Sequence, residues 1–363
     1  MAIYFILLGL LCGLYLLQGR HQIARADYLE VETNHRRTIP GMILFCGLLA
    51  FMIAFRGPEI GTDTPMYQYL YKNRDLDRIV HSSLLWLESV NSTEPGYTIL
   101  MYLLDKLGLN FRAMTVLEAL IYMIPVGILV YRYSRNPYLS LFFFVCMDYF
   151  GFALTGMRQT IAMGICILAF LEMRKGKTLR FLLLTVLACF FHKSALCFFP
   201  VCILERFPLN RKFTVAALVV GVLAVIFKDP LRQFLLLFSR LDYEMVETGG
   251  DRMYLFMASM LVLDIFILKN KTADREDVNI FRYMMLAAVI MFPVLQFNAA
   301  VFRLHFYYSL MMIVYLPNVL RKIKNLYLRL GIEGGYVAVA VYYMVRYPLD
   351  TMDIVPYVCT WLM

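Results

Sequence analysis

Long apolar runs separated by short polar connections constrain this chain more than any other feature. About twelve are present, at roughly 2 to 18, 40 to 55, 113 to 131, 137 to 154, 157 to 172, 179 to 191, 195 to 204, 213 to 227, 253 to 268, 280 to 297, 302 to 320 and 334 to 347. A bilayer crossing takes about 20 mostly apolar residues, so a dozen would occupy about two thirds of the chain. In lipid, every backbone donor and acceptor must be satisfied within its own segment, and a helix does this alone. The chain is therefore predicted to be an all-α integral membrane protein, a single polytopic domain over 1–363 with about 12 transmembrane helices (10–13). Several runs are short, and the pair around His192 is readable as two half-spanning segments. Composition agrees: 61% of residues are apolar and 17% charged, whereas a soluble domain is about half apolar and a quarter charged. A water-soluble enzyme with an ordinary surface is excluded.

The net charge of +9 would raise nucleic acid as a partner in a soluble protein. Here it is first a topology signal, because cytoplasmic connections carry excess Lys and Arg. With the N-terminus outside, alternate connections place 21 basic residues against nine acids on the inner side. The outer side holds 14 of each, and three acids lie within helices. The excess thus labels the cytoplasmic loops, and no nucleic-acid partner is expected. The first run, Ile3 to Leu17, has no basic residue before it and no small-residue cleavage site after it, so it reads as a retained helix. The eight cysteines lie almost entirely in apolar runs without CxxC or His-paired spacing, and read as buried hydrophobes.

Two outer connections are long. In residues 56–112, Leu76, Ile79, Val80, Leu84, Leu87 and Val90 recur at helical spacing opposite Asp77, Arg78, His81, Ser82 and Glu88. Residues 228–252 repeat the pattern with Leu231, Phe234, Leu235, Phe238 and Leu241. Both are predicted to hold amphipathic helices lying in the outer interface and walling a cavity.

Charged groups at the edges of spans are costly and are functional candidates by default. Arg56 ends the second run, Arg158 begins a helix after Leu154-Thr-Gly-Met, Lys193 follows His192, and Arg303 follows Gln296-Phe-Asn298. All four map to the outer side. A lone arginine at a helix end often snorkels to lipid phosphates, but four basic groups at one depth point to an anion. Arg158 is the sharpest, because its fork of donors adds to the free N–H groups of a helix start, which suits a diphosphate. Glu118, Asp148 and Asp264 are first read as partners in helix-to-helix bonds, and His192 as a capped helix end or a base.

Taken in order, Arg56-Gly-Pro-Glu-Ile-Gly-Thr-Asp-Thr-Pro-Met-Tyr67, Glu94-Pro-Gly-Tyr, Met157-Arg-Gln-Thr-Ile-Ala, Phe191-His-Lys-Ser-Ala-Leu and Arg303 with Tyr307 and Tyr308 resemble the successive motifs of the EpsG family. These are membrane proteins similar to Wzy-type polymerases of bacterial exopolysaccharide, capsule and O-antigen repeat units. The resemblance runs from about residue 40 to 310, and no motif is matched beyond about 320. It implies a GT-C-like glycosyltransferase acting on polyprenyl-diphosphate-linked oligosaccharides at the outer face of the cytoplasmic membrane. Donor and acceptor glycans and membrane lipid are the implied partners, with a flippase and a chain-length regulator as candidates.

Under that reading the leaving group is a lipid diphosphate, which needs positive charge where the glycosidic bond breaks. Arg158 and Arg303 are assigned to it, with Arg56 as a second clamp or as the partner of Asp63. The acceptor hydroxyl needs a base, and His192, Asp63 and Glu94 are the candidates. Gln159, Asn298, Tyr67 and Tyr307 are assigned to sugar hydroxyls. No carboxylate cluster suggests a metal, and no cofactor is expected. One rival is a lipid-linked oligosaccharide flippase, which would spread polar residues through the membrane depth and often repeat its halves. Another is an O-antigen-ligase-like transferase, which would share the arginines and differ in acceptor.

Overall fold

The computed structural model describes residues 2–24, 31–72, 94–204, 211–230, 233, 251–267, 276–295, 302–346 and 353–360. Every extended element among them is helical, and the one bridge between backbones, Arg56 to Cys359, is isolated. The chain forms two compact units, Met1–Leu196 with Gly331–Met363, and Cys197–Leu330. The predicted interfacial helix at 76–90 lies outside the described residues, as does nearly all of the one at 231–241.

The first unit contains α1 (Ala2–Ala24), α2 (Val31–Ala54), α3 (Thr64–Lys72), α4 (Pro95–Lys106), α5 (Phe111–Tyr133), α6 (Pro137–Cys146), α7 (Tyr149–Ala153), α8 (Met157–Met173) and α9 (Thr178–Phe191). Proline stands at the start of α4 and α6, where its fixed φ suits the first turn and its missing N–H costs nothing. Asn136 caps α6 by accepting the Leu139 N–H at 3.3 Å.

The central helix is α8, which packs against both α5 and α9. Nearly all its side chains are buried. It comes so close to α5 that a Cβ on Gly164 would overlap the Ile121 carbonyl oxygen. This crossing fixes the start of α8 relative to Glu118, one turn before Ile121.

The apolar run at 137–154 was expected to cross as one helix. It is broken between α6 and α7 at Asp148, whose φ of 67° places it in the left-handed region. Asp visits that region more readily than most residues.

The second unit holds α10 (Val201–Leu204), α11 (Arg211–Ile226), α12 (Asp251–Ile267), α13 (Glu276–Leu295), a 3-10 turn at Arg303–His305, α14 (Phe306–Ser309) and α15 (Met312–Leu320). The last long helix, α16 (Leu326–Arg346), begins in this unit and ends in the first. Asp264 on α12 accepts from Arg282 Nε at 2.6 Å, Tyr315 Oη at 2.7 Å and Lys322 Nζ at 3.2 Å, so it is a helix-to-helix tie.

Among the described residues one helix, Phe111–Tyr133, is long and apolar enough to cross a membrane unaided. Ala2–Leu17, Thr38–Ala54, Pro137–Cys146, Thr178–Phe191, Lys193–Leu204 and Ile280–Met291 are shorter apolar stretches. Among the described residues the fold is all-helical, and they do not confirm the expected count of about 12 spans. The break at Asp148 divides a run that reads as continuous in the sequence, and the 3-10 turn Lys193–Phe198 falls at the gap already read around His192.

Candidate active site

The Gly-Thr-Asp loop leaves α2 at Arg56 and is held on two sides. Gly61 has φ +82°, and a Cβ there would overlap the Leu154 carbonyl oxygen, so only glycine lets the loop lie against the turn before α8. The next residue completes the contact: Thr62 donates its backbone N–H to Thr155 Oγ1 at 2.8 Å, and the two hydroxyls meet at 3.2 Å. The other side is the C-terminal segment. Gly57 N–H donates to Val358 O at 2.8 Å, Gly61 N–H to Asp353 O at 2.9 Å, and Thr360 N–H to Phe55 O at 3.0 Å. Tyr357 Oη adds a bond to Met52 O at 2.8 Å. Residues 353–360, unmatched by any motif in the sequence, thus strap the motif loop.

Beneath the loop Arg56 is fully buried. Its Nη2 donates to Glu118 Oε2 at 2.8 Å, its Nε to Thr64 Oγ1 at 3.1 Å and its Nη1 to Ile53 O at 2.9 Å. Neither Arg56 nor Glu118 has any side-chain exposure. The sequence suggested Arg56 as a diphosphate clamp or as the partner of Asp63. With all three nitrogens engaged inside the protein, it is placed instead as an internal strut joining α2, α3 and α5.

A second arginine escaped the sequence reading. Arg112, in the first turn of α5, donates to the carbonyls of Ala54, Arg56 and Thr360, and its guanidinium lies 5.3 Å from the Phe55 ring centre. A cation at the end of α2 suits the negative pole of that helix and satisfies carbonyls that have no partner within it. The only available signal was a basic residue opening an otherwise apolar run.

Arg158 sits above this layer in the first turn of α8. Gly156 provides no side-chain cap there, so the helix start keeps its positive pole. Arg158 Nη1 donates to Glu94 Oε2, just before α4, and its guanidinium lies 5.4 Å from the Tyr67 ring centre on α3. The Tyr67 ring in turn rests 4.8 Å from that of Tyr97. Asp63 exerts its charge on both Tyr67 and Arg158. Burial holds the Tyr67 phenol above its ordinary range, against the opposing charge of Arg158, so at neutral pH it is a proton donor. Arg158 keeps 26% of its side chain exposed and Glu94 8%. Four separated motif residues, Asp63, Tyr67, Glu94 and Arg158, are therefore brought together, while Gln159 beside them is buried.

His192 ends α9 in extended backbone. Its Nδ1 accepts the Ser194 N–H at 3.2 Å and meets Ser194 Oγ at 2.6 Å. With Nδ1 accepting, the neutral ring carries its proton on Nε2. Gly96 packs tightly on the Phe190 carbonyl, which aligns the start of α4 with the end of α9. In the second unit, Arg303 opens its 3-10 turn half-buried, and Tyr307 is buried 6.4 Å from the Phe198 ring. Asn298 lies outside the described residues.

Neither a curated protein nor a solved structure matches the chain. The model of the EpsG family matches residues 41–359, a span that takes in the Gly-Thr-Asp loop, Glu94, Arg158 and most of the C-terminal strap. The chain therefore belongs to the EpsG family, a Wzy-like family of polysaccharide polymerases, and is a helical membrane protein.

Proposed function

We propose that the protein is a GT-C-like glycosyltransferase that joins polyprenyl-diphosphate-linked repeat units at the outer face of a bacterial cytoplasmic membrane. The observation that carries this reading is the gathering of Arg158, Glu94, Tyr67 and Asp63 at an uncapped helix start. A transferase of this class must hold a departing lipid diphosphate and deprotonate an acceptor hydroxyl, and those four side chains offer a cation with carboxylates beside it. The outward position rests on the distribution of Lys and Arg among the connections.

Arg158 is assigned to the diphosphate. Arg303, in the second unit, keeps the same assignment on sequence grounds alone. The base is drawn from Glu94 and Asp63, since Nδ1 of His192 is already occupied and Nε2 then offers a proton, which suits contact with a sugar oxygen. Tyr67, Gln159, Tyr307 and Asn298 are assigned to sugar hydroxyls. In the reaction the acceptor oxygen bonds to the anomeric carbon of the growing glycan and its proton passes to the base. The bond from that carbon to the diphosphate oxygen breaks, and its electron pair leaves with the lipid.

The decisive experiment supplies the purified protein with the polyprenyl-diphosphate-linked repeat unit and resolves the products by length. A ladder of polymer sizes is expected, abolished by Arg158→Ala in protein that still purifies as a single species. Transbilayer movement of the substrate without elongation would overturn the reading in favour of a flippase.

A further inference from the structure

We propose that Glu94 is a displaceable counter-ion: the donor's diphosphate takes its place on Arg158, and the released carboxylate becomes the base for the acceptor hydroxyl. The inference rests on the assignment of Arg158 to the diphosphate, and adds how binding of the leaving group is coupled to activation of the nucleophile.

The geometry of the pair carries it. Arg158 meets Glu94 through one nitrogen and one oxygen, short of the two parallel bonds that make an arginine–carboxylate pair strong. Its Nε is buried and has no partner among the described residues, so part of the donor fork is unspent. A diphosphate presents several oxygens and can engage two guanidinium nitrogens at once, while the positive pole of the α8 start, which no side chain caps, adds to the attraction. The exchange therefore replaces one charge-assisted bond by several. It can happen here because a quarter of the Arg158 side chain is open, whereas the neighbouring Arg56–Glu118 pair is sealed.

Tyr67 keeps the guanidinium in place during the exchange, because its ring face attracts the cation whichever anion is bound. Once the diphosphate has taken the cation, the Glu94 carboxylate loses the bond that Arg158 gave it and can turn that oxygen to the acceptor hydroxyl. It then accepts the acceptor hydroxyl's proton as the new glycosidic bond forms and the lipid diphosphate departs with its electron pair. A site in this resting state holds its base neutralised, so no acceptor or water is activated before a donor is present.

The test uses the full chain in detergent and inorganic pyrophosphate as the probe, with binding followed by titration calorimetry and elongation assayed in parallel. Glu94→Gln removes the competing charge and should bind pyrophosphate about tenfold more tightly, the equivalent of one partly exposed ion pair. The same variant should lose elongation by about 100-fold or more, as expected for a missing general base. Arg158→Gln should lose pyrophosphate binding. Weaker or unchanged binding in Glu94→Gln, with Arg158→Gln still defective, would overturn the counter-ion proposal and leave the diphosphate assignment standing. Wild-type binding in Arg158→Gln would overturn the assignment itself. Full elongation by Glu94→Gln would remove Glu94 as the base. Glu94→Asp keeps the charge, and recovery of elongation there guards against misreading a folding defect.

Discussion

Two arginine–glutamate pairs in the first unit share their chemistry and differ in surroundings. Arg56 and Glu118 have no exposed side-chain surface, while Arg158 and Glu94 keep 26% and 8%. Arg56 spends Nε, Nη1 and Nη2 on three acceptors from three parts of the chain. Arg158 has one carboxylate, one aromatic face and an unspent buried nitrogen. Burying two charges offsets much of their mutual attraction, so the sealed pair is valuable chiefly because removing either partner is costly. The open pair keeps one donor unspent and an edge toward water, which is what the proposed exchange requires. What separates the two pairs is the number of donors already engaged, since the charge is the same.

The sharpest way to break this comparison is at the sealed pair. Arg56→Ala or Glu118→Ala leaves an unpaired charge in the interior, worth about 3–5 kcal/mol. In detergent such protein should unfold at a much lower temperature or fail to purify as a single species. Near-wild-type thermal stability would show that the pair is no strut.

A smaller loss is expected for Thr64→Val, which removes the acceptor of Arg56 Nε and leaves a charged donor unmet at about 2 kcal/mol. Thermal unfolding against Thr64→Ser, which keeps the hydroxyl, isolates the bond. Arg158→Ala should cost only about 1 kcal/mol, because water reaches the site, while elongation should be lost. A stability loss as large as that of Arg56→Ala would put both pairs in one class. Last, Tyr357→Phe deletes one bond of the C-terminal strap, worth about 0.5–1 kcal/mol. Its backbone bonds to Gly57 and Gly61 persist, so elongation should change little. A large loss of elongation at unchanged stability would make Tyr357 part of the reacting site.

Much of this arrangement was legible in local sequence. The run at 113–131 is helix Phe111–Tyr133, the run at 179–191 is Thr178–Phe191, and Arg158 was placed in a first turn that begins at Met157. These succeed because apolar side chains and backbone bonding act over a few residues. The partner of Arg56 lies 62 residues away, and hydropathy does not report how α2 and α5 are rotated about their axes. Arg112 went unnoticed for the same reason: its role is to cap a helix that ends 58 residues earlier. The strap at 353–360 carries little recognisable side-chain chemistry, since most of its bonds to the loop are made by backbone groups.

By itself, then, the sequence determined that the chain is helical and membrane-bound, because its apolar segments must satisfy their own backbone bonds. It also singled out the few basic residues that stand beside the quoted motifs. Only the tertiary structure decided which of those arginines is buried and which is open. That outcome depends on which carboxylate, hydroxyl or carbonyl each guanidinium meets as the helices pack, and on how much water is left beside it once they have.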